Sequence, residues 1–258
     1  MGRAASLLGR LGVTPEASNS LLLATALLAA LAAWDAYAGH LPAIHDRWDV
    51  ALIATLVLPA TVLVVWLLLP LARLHAVAVL AVVCGATAVL LDLAGLGAGF
   101  NVLKIVTYAL FGFWFLQLFE ALSWIVLVAA IIPWVDIVSV YRGPTRVVVE
   151  EEPGIFERIA VSLSLPGEDA AARLGPPDVL FFALFIAAAS RFELRVAATW
   201  LTMTAAVSAT LVATYAFDLN GLPALPAVAL GFVAPNADLL WGALRALRAD
   251  DGGGRERG

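Results

Sequence analysis

Two aspartates lie inside otherwise apolar segments of the sequence, and their positions match. Asp136 lies six residues before Arg142, and Asp178 lies five residues after Arg173, with a polar segment between the two arginines. At a helical rise of about 1.5 Å per residue, each carboxylate lies roughly 8 Å inside its apolar segment. An ionisable side chain at such a depth costs several kcal/mol unless it faces a partner or a water-filled cavity. Both aspartates are therefore candidates for chemistry.

Two carboxylates that meet at one depth can act as a general acid and a general base. Repulsion between like charges keeps one of them protonated while the other is ionised. The ionised carboxylate takes a proton from a water molecule that attacks a carbonyl carbon, and the protonated one donates a hydrogen bond to the developing oxyanion. This arrangement is that of an aspartic protease, and it needs no metal ion, cofactor or nucleophilic side chain.

Helix dipoles suggest which aspartate has which role. Asp178 follows Pro176 and Pro177 at the start of a predicted helix, where the positive end of the dipole favours a charged carboxylate. Asp136 lies near the end of its own predicted helix, where the dipole disfavours the charge. We therefore expect Asp178 to be the base and Asp136 to hold the proton.

The remaining carboxylates in apolar segments lie near the predicted ends of those segments. They are Asp35, Asp92, Glu120 and Asp218. At such positions a side chain reaches the lipid headgroups, so we interpret these four residues as solvated helix ends. The single cysteine, Cys84, excludes an internal disulfide and a thiolate metal site. We expect no metal ion and no cofactor.

The composition places these residues in a membrane. Hydrophobic residues make up 62% of the chain and charged residues only 14%, against about 25% charged in an ordinary soluble domain. The formal net charge is −5 and no basic patch alternates with aromatic residues, so the sequence gives no indication of nucleic-acid binding. The lipid bilayer is the expected surrounding.

Apolar runs between charges and turn residues predict about eight transmembrane helices, with nine as the alternative count, and an all-α fold. The predicted spans cover residues 19–39, 50–71, 75–97, 101–119, 121–141, 177–190, 194–217 and 222–244. Glu120, followed by Ser123 and Trp124, marks a tight turn between the fourth and fifth spans. A single long, kinked helix is the alternative for that region.

The spans divide the chain into four parts. They are an N-terminal unit of about five helices (1–141), a polar extramembrane loop (142–176), a three-helix unit (177–244) and a hydrophilic tail (245–258). The tail from Asp250 to Gly258 has the composition of a disordered segment. Because one span enters the loop and the next returns from it, Asp136 and Asp178 are on the same side of the membrane.

A proline-rich segment opens the last predicted span on that same side. Pro223, Ala224, Leu225 and Pro226 stand there, and the two prolines remove two backbone donors from the start of the helix. Backbone of this kind at membrane depth is tolerated only where it lines a protein or water cavity. Such an extended segment could pair with an unwound substrate strand.

These elements resemble the presenilin and signal peptide peptidase family of intramembrane aspartyl proteases. The family has an Asp late in one span, a polar loop, a Gly-x-Gly-Asp motif opening the next span, and a Pro-Ala-Leu motif opening the last. Here the corresponding segments are Val135-Asp136-Ile137-Val138-Ser139-Val140, Gly175-Pro176-Pro177-Asp178 and Pro223-Ala224-Leu225-Pro226. The resemblance extends from about residue 101 to residue 244.

The resemblance implies a presenilin-like helix bundle that cleaves single-span membrane proteins or signal-peptide remnants. Asp136 and Asp178 would be the catalytic pair, with Gly175, Pro177 and the Pro223–Pro226 segment supporting the site. Family members usually have nine spans. Two residues depart from the pattern: Val135 stands where the family typically has Tyr, and Pro177 replaces the second Gly of the motif. Pro177 exchanges a flexible position for one with a fixed φ angle.

Two other functions also fit the residues. A proton-coupled transporter would use carboxylates within spans and proline-broken helices, and a catalytically inactive family member would bind membrane segments without cleaving them. The excess of Arg over Lys and the abundance of Ala and Gly are compatible with a prokaryotic cell membrane as the location. The arginines do not decide which side of the membrane the loop occupies.

Overall fold

The fold is that of a mostly helical, polytopic membrane protein. The computed structural model describes residues 14–142, 153–168, 171–219 and 222–253. Within this part of the chain, six helices are long and apolar enough to cross a membrane. They span Pro15–His40, Asp46–Arg73, Gly97–Gln117, Leu122–Ser139, Val196–Ala216 and Leu225–Arg245.

The helices and strands are numbered in chain order. The first five helices are α1 (Pro15–Tyr37), α2 (Asp46–Arg73), α3 (Val77–Leu93), α4 (Gly97–Gln117) and α5 (Leu122–Arg142). The polar segment contains α6 (Pro153–Ile159), β1 (Val161–Ser164) and β2 (Ala171–Leu174). The C-terminal part contains α7 (Pro176–Arg191), α8 (Val196–Ala216), α9 (Leu225–Val233) and α10 (Ala237–Gly253).

Two apolar helices, α3 and α7, have 17 and 16 residues and are shorter than the six long spans. At about 1.5 Å per residue they are roughly 25 Å long, a little less than the hydrocarbon thickness of a bilayer. The short α7 is buried among its neighbours, and Val179 and the continuous run from Phe182 to Ala189 are inaccessible to solvent. A helix that is apolar on all sides belongs in the interior of a bundle, so the helix that carries Asp178 is its central element.

Successive helices run in alternating directions, as contacts at their ends show. At the end of the bundle where residues 153–168 and 171–176 lie, called the loop end here, Asp92 near the end of α3 forms an ion pair with Arg158. At the opposite end, the Gln117 side chain donates hydrogen bonds to the carbonyls of Ala72 and Leu74. Arg191, the last residue of α7, donates there to the carbonyl of Leu116.

The fourth and fifth predicted spans are separate helices. Helix α4 ends at Gln117 and α5 begins at Leu122, with the exposed Glu120 in the link between them. The alternative of one long, kinked helix is therefore wrong. Glu120 predicted this turn correctly. A charged side chain within a span costs free energy, so it favours a break between two helices.

The polar segment contains an antiparallel hairpin, which departs from the all-α prediction. Strands β1 and β2 pair with Val161 opposite Leu174 and Ser164 opposite Ala171. Buried and half-buried residues alternate along β1, which is the two-residue period of a strand with one covered face. Within the turn, Gly167 has a φ of +69° and donates its N–H to the carbonyl of Ala38. Residues 143–152 and 169–170 of the predicted loop lie outside the described residues.

The last span consists of two helices joined by a short 3-10 turn, Ala234–Asn236. The fully buried Asn236 side chain joins this turn to α8, because it donates to the Thr199 hydroxyl and accepts the N–H of Arg195. Helix α10 continues to Gly253, beyond the predicted end at residue 244 and into the predicted disordered tail. Residues 254–258 of that tail lie outside the described part of the chain.

Candidate functional site

Asp178 stands in the first turn of α7, where the chain changes from strand to helix. Gly175 is the N-cap residue, with φ −64° and ψ 152°, and Pro176 and Pro177 are the first two helical residues. Proline fits these positions because its fixed φ is helical and its missing N–H has no partner in a first turn. The Asp178 carboxylate accepts the Gly175 N–H at 3.0 Å, which holds the side chain over the helix start.

Asp136 meets the proline-rich segment through a direct hydrogen bond. Its carboxylate accepts the N–H of Leu225, the first residue of α9, at 3.0 Å. The next residue, Pro226, has no N–H to offer, and Asp136 satisfies the N–H of Leu225, one of the donors that the first turn of α9 leaves without a helical partner. Pro223 and Ala224 lie just outside this helix start, half-buried.

The three elements that carry these residues meet in space. Helix α9 packs against both α5 and α7, and α5 also contacts α7. Asp136 and Asp178 are close enough for the charge of one to act on the other, and both side chains are partly buried. The structure therefore brings together the two aspartates, Gly175 and the Pro223–Pro226 segment, all at the loop end of the bundle.

The position of Asp136 removes the basis for assigning the acid and the base. The sequence placed only Asp178 at the positive end of a helix dipole, but Asp136 lies at the N-terminus of α9. Each carboxylate therefore accepts one backbone N–H at a helix start. Helix dipoles therefore do not distinguish the two residues, and they no longer support the assignment of Asp178 as the base.

Pro177 lines an apolar groove next to Asp178. The groove has a volume of about 340 Å³ and lies between α4 and α7. Its walls are Phe111, Trp114 and Phe115 from α4 and Pro176, Pro177, Leu180 and Phe181 from α7. The exposed Pro177 ring thus contributes an apolar surface, and it takes no part in the hydrogen bond that positions Asp178.

Two of the four carboxylates predicted to be solvated have protein partners instead. Asp35 accepts the hydroxyl of Ser164, and Asp92 pairs with Arg158, so both are anchored to the α6–hairpin region. Both lie near helix ends, as predicted, but there a polar segment folded back onto the bundle supplies a partner in place of the lipid headgroups. Glu120 and Asp218 are exposed, as expected.

Two residues of α4 that were not predicted to belong to a site are buried and polar. Lys104 is only 5% exposed, and its ammonium group donates to the carbonyls of Arg158 and Ala160. The Asn101 side chain accepts the Ser162 N–H at 2.9 Å and donates to the Ser162 carbonyl at 2.8 Å. A lysine within a predicted span was a signal for function that considering only carboxylates missed.

A polar cavity of about 570 Å³ lies between these α4 residues and the hairpin. Asp35, Asp92, Asn101, Lys104, Arg158 and Arg173 are among the residues that line it. Neither Asp136 nor Asp178 lines this cavity. Within the described chain, no group of three or more His, Cys, Asp or Glu side chains is placed to hold a metal ion.

Comparisons of the chain with protein-family models, with curated proteins and with solved structures find no match.

Proposed function

We propose that this protein is an intramembrane aspartyl protease of the presenilin and signal peptide peptidase type. The observation that carries the proposal is the junction of α5, α7 and α9, which holds Asp136, Asp178 and the Pro223–Pro226 segment, with Asp136 bonded to Leu225. General acid–base hydrolysis of a peptide bond requires two carboxylates that can act on one substrate, and the packing of α5, α7 and α9 around both aspartates supports this role. In this proposal eight helices cross a prokaryotic cell membrane, including the short α3 and α7.

The proposed reaction uses one carboxylate in each protonation state. The ionised aspartate removes a proton from water, and the resulting oxygen nucleophile forms a bond to the scissile carbonyl carbon. The protonated aspartate gives its proton to the carbonyl oxygen, producing a neutral gem-diol. On collapse of this intermediate the C–N bond breaks, the now ionised aspartate takes a hydroxyl proton from the gem-diol, and the now protonated aspartate gives its proton to the departing nitrogen. The pair is then again one protonated and one ionised carboxylate. No metal ion or cofactor enters this sequence.

The substrate of such a site is a transmembrane segment in extended form, because a helix hides its peptide bonds. The sequence suggested the Pro223–Pro226 backbone as its pairing partner. In the structure the Leu225 N–H is already bonded to Asp136, and two of the neighbouring residues are prolines without an N–H. Strand β2, which ends one residue before Gly175, is the better partner in this proposal because a strand edge supplies alternating donors and acceptors.

Reconstitution with a single-span substrate tests the proposed function. The purified protein in liposomes is expected to cleave the substrate within its membrane segment, and mass spectrometry of the products locates the bond. Asp136→Ala and Asp178→Ala should each abolish cleavage, whereas Asp218→Asn, at an exposed carboxylate of the same end, should leave it unchanged. No cleavage by the wild-type protein under any condition would remove the proposal in favour of a transporter or an inactive binding protein.

The Pro177→Gly variant, which restores the glycine of the family motif, is expected to cleave within about three-fold of the wild-type rate. The reason is that the hydrogen bond between Asp178 and Gly175 does not involve Pro177. Its stability should fall by about 0.4–1 kcal/mol, because glycine gives the unfolded chain more freedom than proline. Thermal unfolding in detergent and initial cleavage rates measure the two effects. A tenfold faster variant would show instead that Pro177 restrains the catalytic pair.

A further inference from the structure

We propose that Lys104 and Asn101 are positioning residues, which fix β1 against α4 so that β2 presents its open edge in a defined register to Asp178. This inference rests on the proposed protease function. Lys104 and Asn101, which lie outside the Asp136 and Asp178 pair, would determine which peptide bond of the substrate is cut. Both residues bond backbone atoms, which any sequence in the hairpin would supply.

One face of α4 holds the backbone that leads into β1. Lys104 donates to the carbonyls of Arg158 and Ala160, and Tyr108, four residues further along α4, donates its hydroxyl to the carbonyl of Ile159 at 2.7 Å. Residues four apart lie on the same helix face. The three successive carbonyls 158–160 at the end of α6 therefore all receive donors from α4, at the point where a helix leaves its carbonyls without partners.

Asn101 extends this face to the strand itself. Its side-chain amide bonds both the N–H and the carbonyl of Ser162, and the Trp34 indole donates to the carbonyl of Ser164 at 3.0 Å. These bonds occupy the edge of β1 that faces away from β2. Because side chains already bond the backbone groups of this edge, another strand cannot pair with it.

The same bonds define which edge of the hairpin is open. Ser162 is opposite Arg173, and because both backbone groups of Ser162 point to Asn101, this pair is a non-hydrogen-bonded pair of the antiparallel ladder. The N–H and carbonyl of Arg173 then point away from β1, and neither has a hydrogen-bond partner among the described residues. The open edge is thus on β2, five residues before Asp178.

Burial makes this attachment costly to lose. Lys104 and Asn101 are 5% and 7% exposed, and the Lys104 ammonium also lies 4.5 Å from the centre of the Phe100 ring. A carbonyl deprived of its donor in such surroundings favours rearrangement of the segment toward water. A shift of β1 would move β2 with it, because the two strands are paired along their whole length. The bond presented to the aspartates would then change.

The Lys104→Met variant tests this role, because methionine keeps the length and apolar body of the side chain and removes the donor. We expect hydrogen exchange of the backbone amides in residues 158–164 to become at least tenfold faster. We also expect KM to rise by about tenfold with kcat within about threefold, and the single cleavage site to spread over neighbouring bonds. Lys104→Arg, which keeps a donor, should restore the wild-type exchange and cleavage site.

Gln117→Leu is the matched control. Gln117 belongs to the same helix and also donates to two backbone carbonyls, those of Ala72 and Leu74, but at the opposite end of the bundle. This variant should leave the cleavage site and the exchange of residues 158–164 unchanged. Tyr108→Phe removes a single hydroxyl, so it folds even if Lys104→Met does not, and it should show the same effects on a smaller scale.

Two different failures can be told apart. If the wild-type protein cleaves its substrate and both Lys104→Met and Tyr108→Phe keep a single, unmoved site with unchanged KM, the positioning role is overturned and the protease function stands. The same conclusion follows if Gln117→Leu spreads the cleavage site as much as Lys104→Met does. If the wild-type protein cleaves no substrate, the protease function falls and the positioning role falls with it.

Discussion

Asparagine in place of either Asp136 or Asp178 is expected to lower the cleavage rate by about three orders of magnitude or more. Asparagine has nearly the same size as aspartate and its carbonyl oxygen can still accept the N–H that each carboxylate accepts, from Leu225 and from Gly175. The local helix starts should therefore persist. What is lost is the capacity to take up and release a proton, on which both halves of the reaction depend.

The double variant Asp136→Asn with Asp178→Asn is expected to be no slower than the slower of the two single variants. Residues that act as one unit show strong non-additivity, because removing either member already removes the unit. Rates from a time course with the same single-span substrate, together with binding of that substrate, measure this. Binding should change little in any of the three variants.

Glu120→Gln serves as the control for the loss of a carboxylate, since Glu120 is exposed in the link between α4 and α5. It should retain the wild-type rate. Two single effects that multiply in the double variant would mean that the aspartates contribute independently. In that case a shared acid–base mechanism would be wrong, even if both residues matter for activity.

The helices and the side shared by the aspartates could be predicted from the sequence because both follow from local rules. Apolar runs interrupted by charges and turn residues locate helices, and alternation of direction then places Asp136 and Asp178 at one end. Six helices long enough to cross a membrane confirm the multi-pass architecture. The eight-span count remains a prediction, since α3 and α7 are shorter.

The hairpin and its attachment could not be predicted in the same way. The alternation in Val161–Ser164 covers only four residues and lies in a segment whose breakers and charges predict a loop. The partners of Lys104 and Asn101 are backbone atoms more than 50 residues away along the chain. Contacts of this kind depend on how the polar segment folds onto the bundle, and periodicity carries no information about that.

The hydrogen bond between Asp136 and Leu225 shows a further limit. The sequence assigned Asp136 to the end of its own helix, which is correct for the covalent chain. The start of α9, 89 residues later, supplies the opposite dipole end. The dipole of one helix therefore does not describe the electrostatic surroundings of a residue that a second helix approaches.

Gly112→Ala is expected to reduce cleavage by about ten- to a hundredfold and to destabilise the protein. Helices α4 and α7 approach so closely at this glycine that an added Cβ would lie 2.3 Å from the Leu180 carbonyl oxygen and 2.8 Å from the Ala183 Cβ. Leu180 is two residues after Asp178, so any displacement of α7 that relieves this clash moves the carboxylate relative to Asp136. A misplacement of about 1 Å can cost on the order of a hundredfold in rate.

The matched control is Gly97→Ala in the same helix. Within the described chain, a Cβ at Gly97 would meet no atom within 4 Å. In a helix interior alanine has a propensity better than glycine by about 1 kcal/mol. Gly97 is the first residue of α4, so this variant should gain at most that amount and be as stable as the wild type or more so. At Gly112 the same gain is opposed by an overpacking cost of about 1–3 kcal/mol, and the clash involves backbone that cannot rotate away.

Thermal unfolding in detergent and cleavage rates, measured on both variants, separate the two contributions. The expected result is a lower unfolding temperature and slower cleavage for Gly112→Ala, with neither change for Gly97→Ala. If Gly112→Ala melts and cleaves like the wild type, α7 can shift without disturbing the aspartates. The close contact between α4 and α7 would then not be what positions Asp178, and the hydrogen bond to Gly175 would have to hold the carboxylate in place by itself.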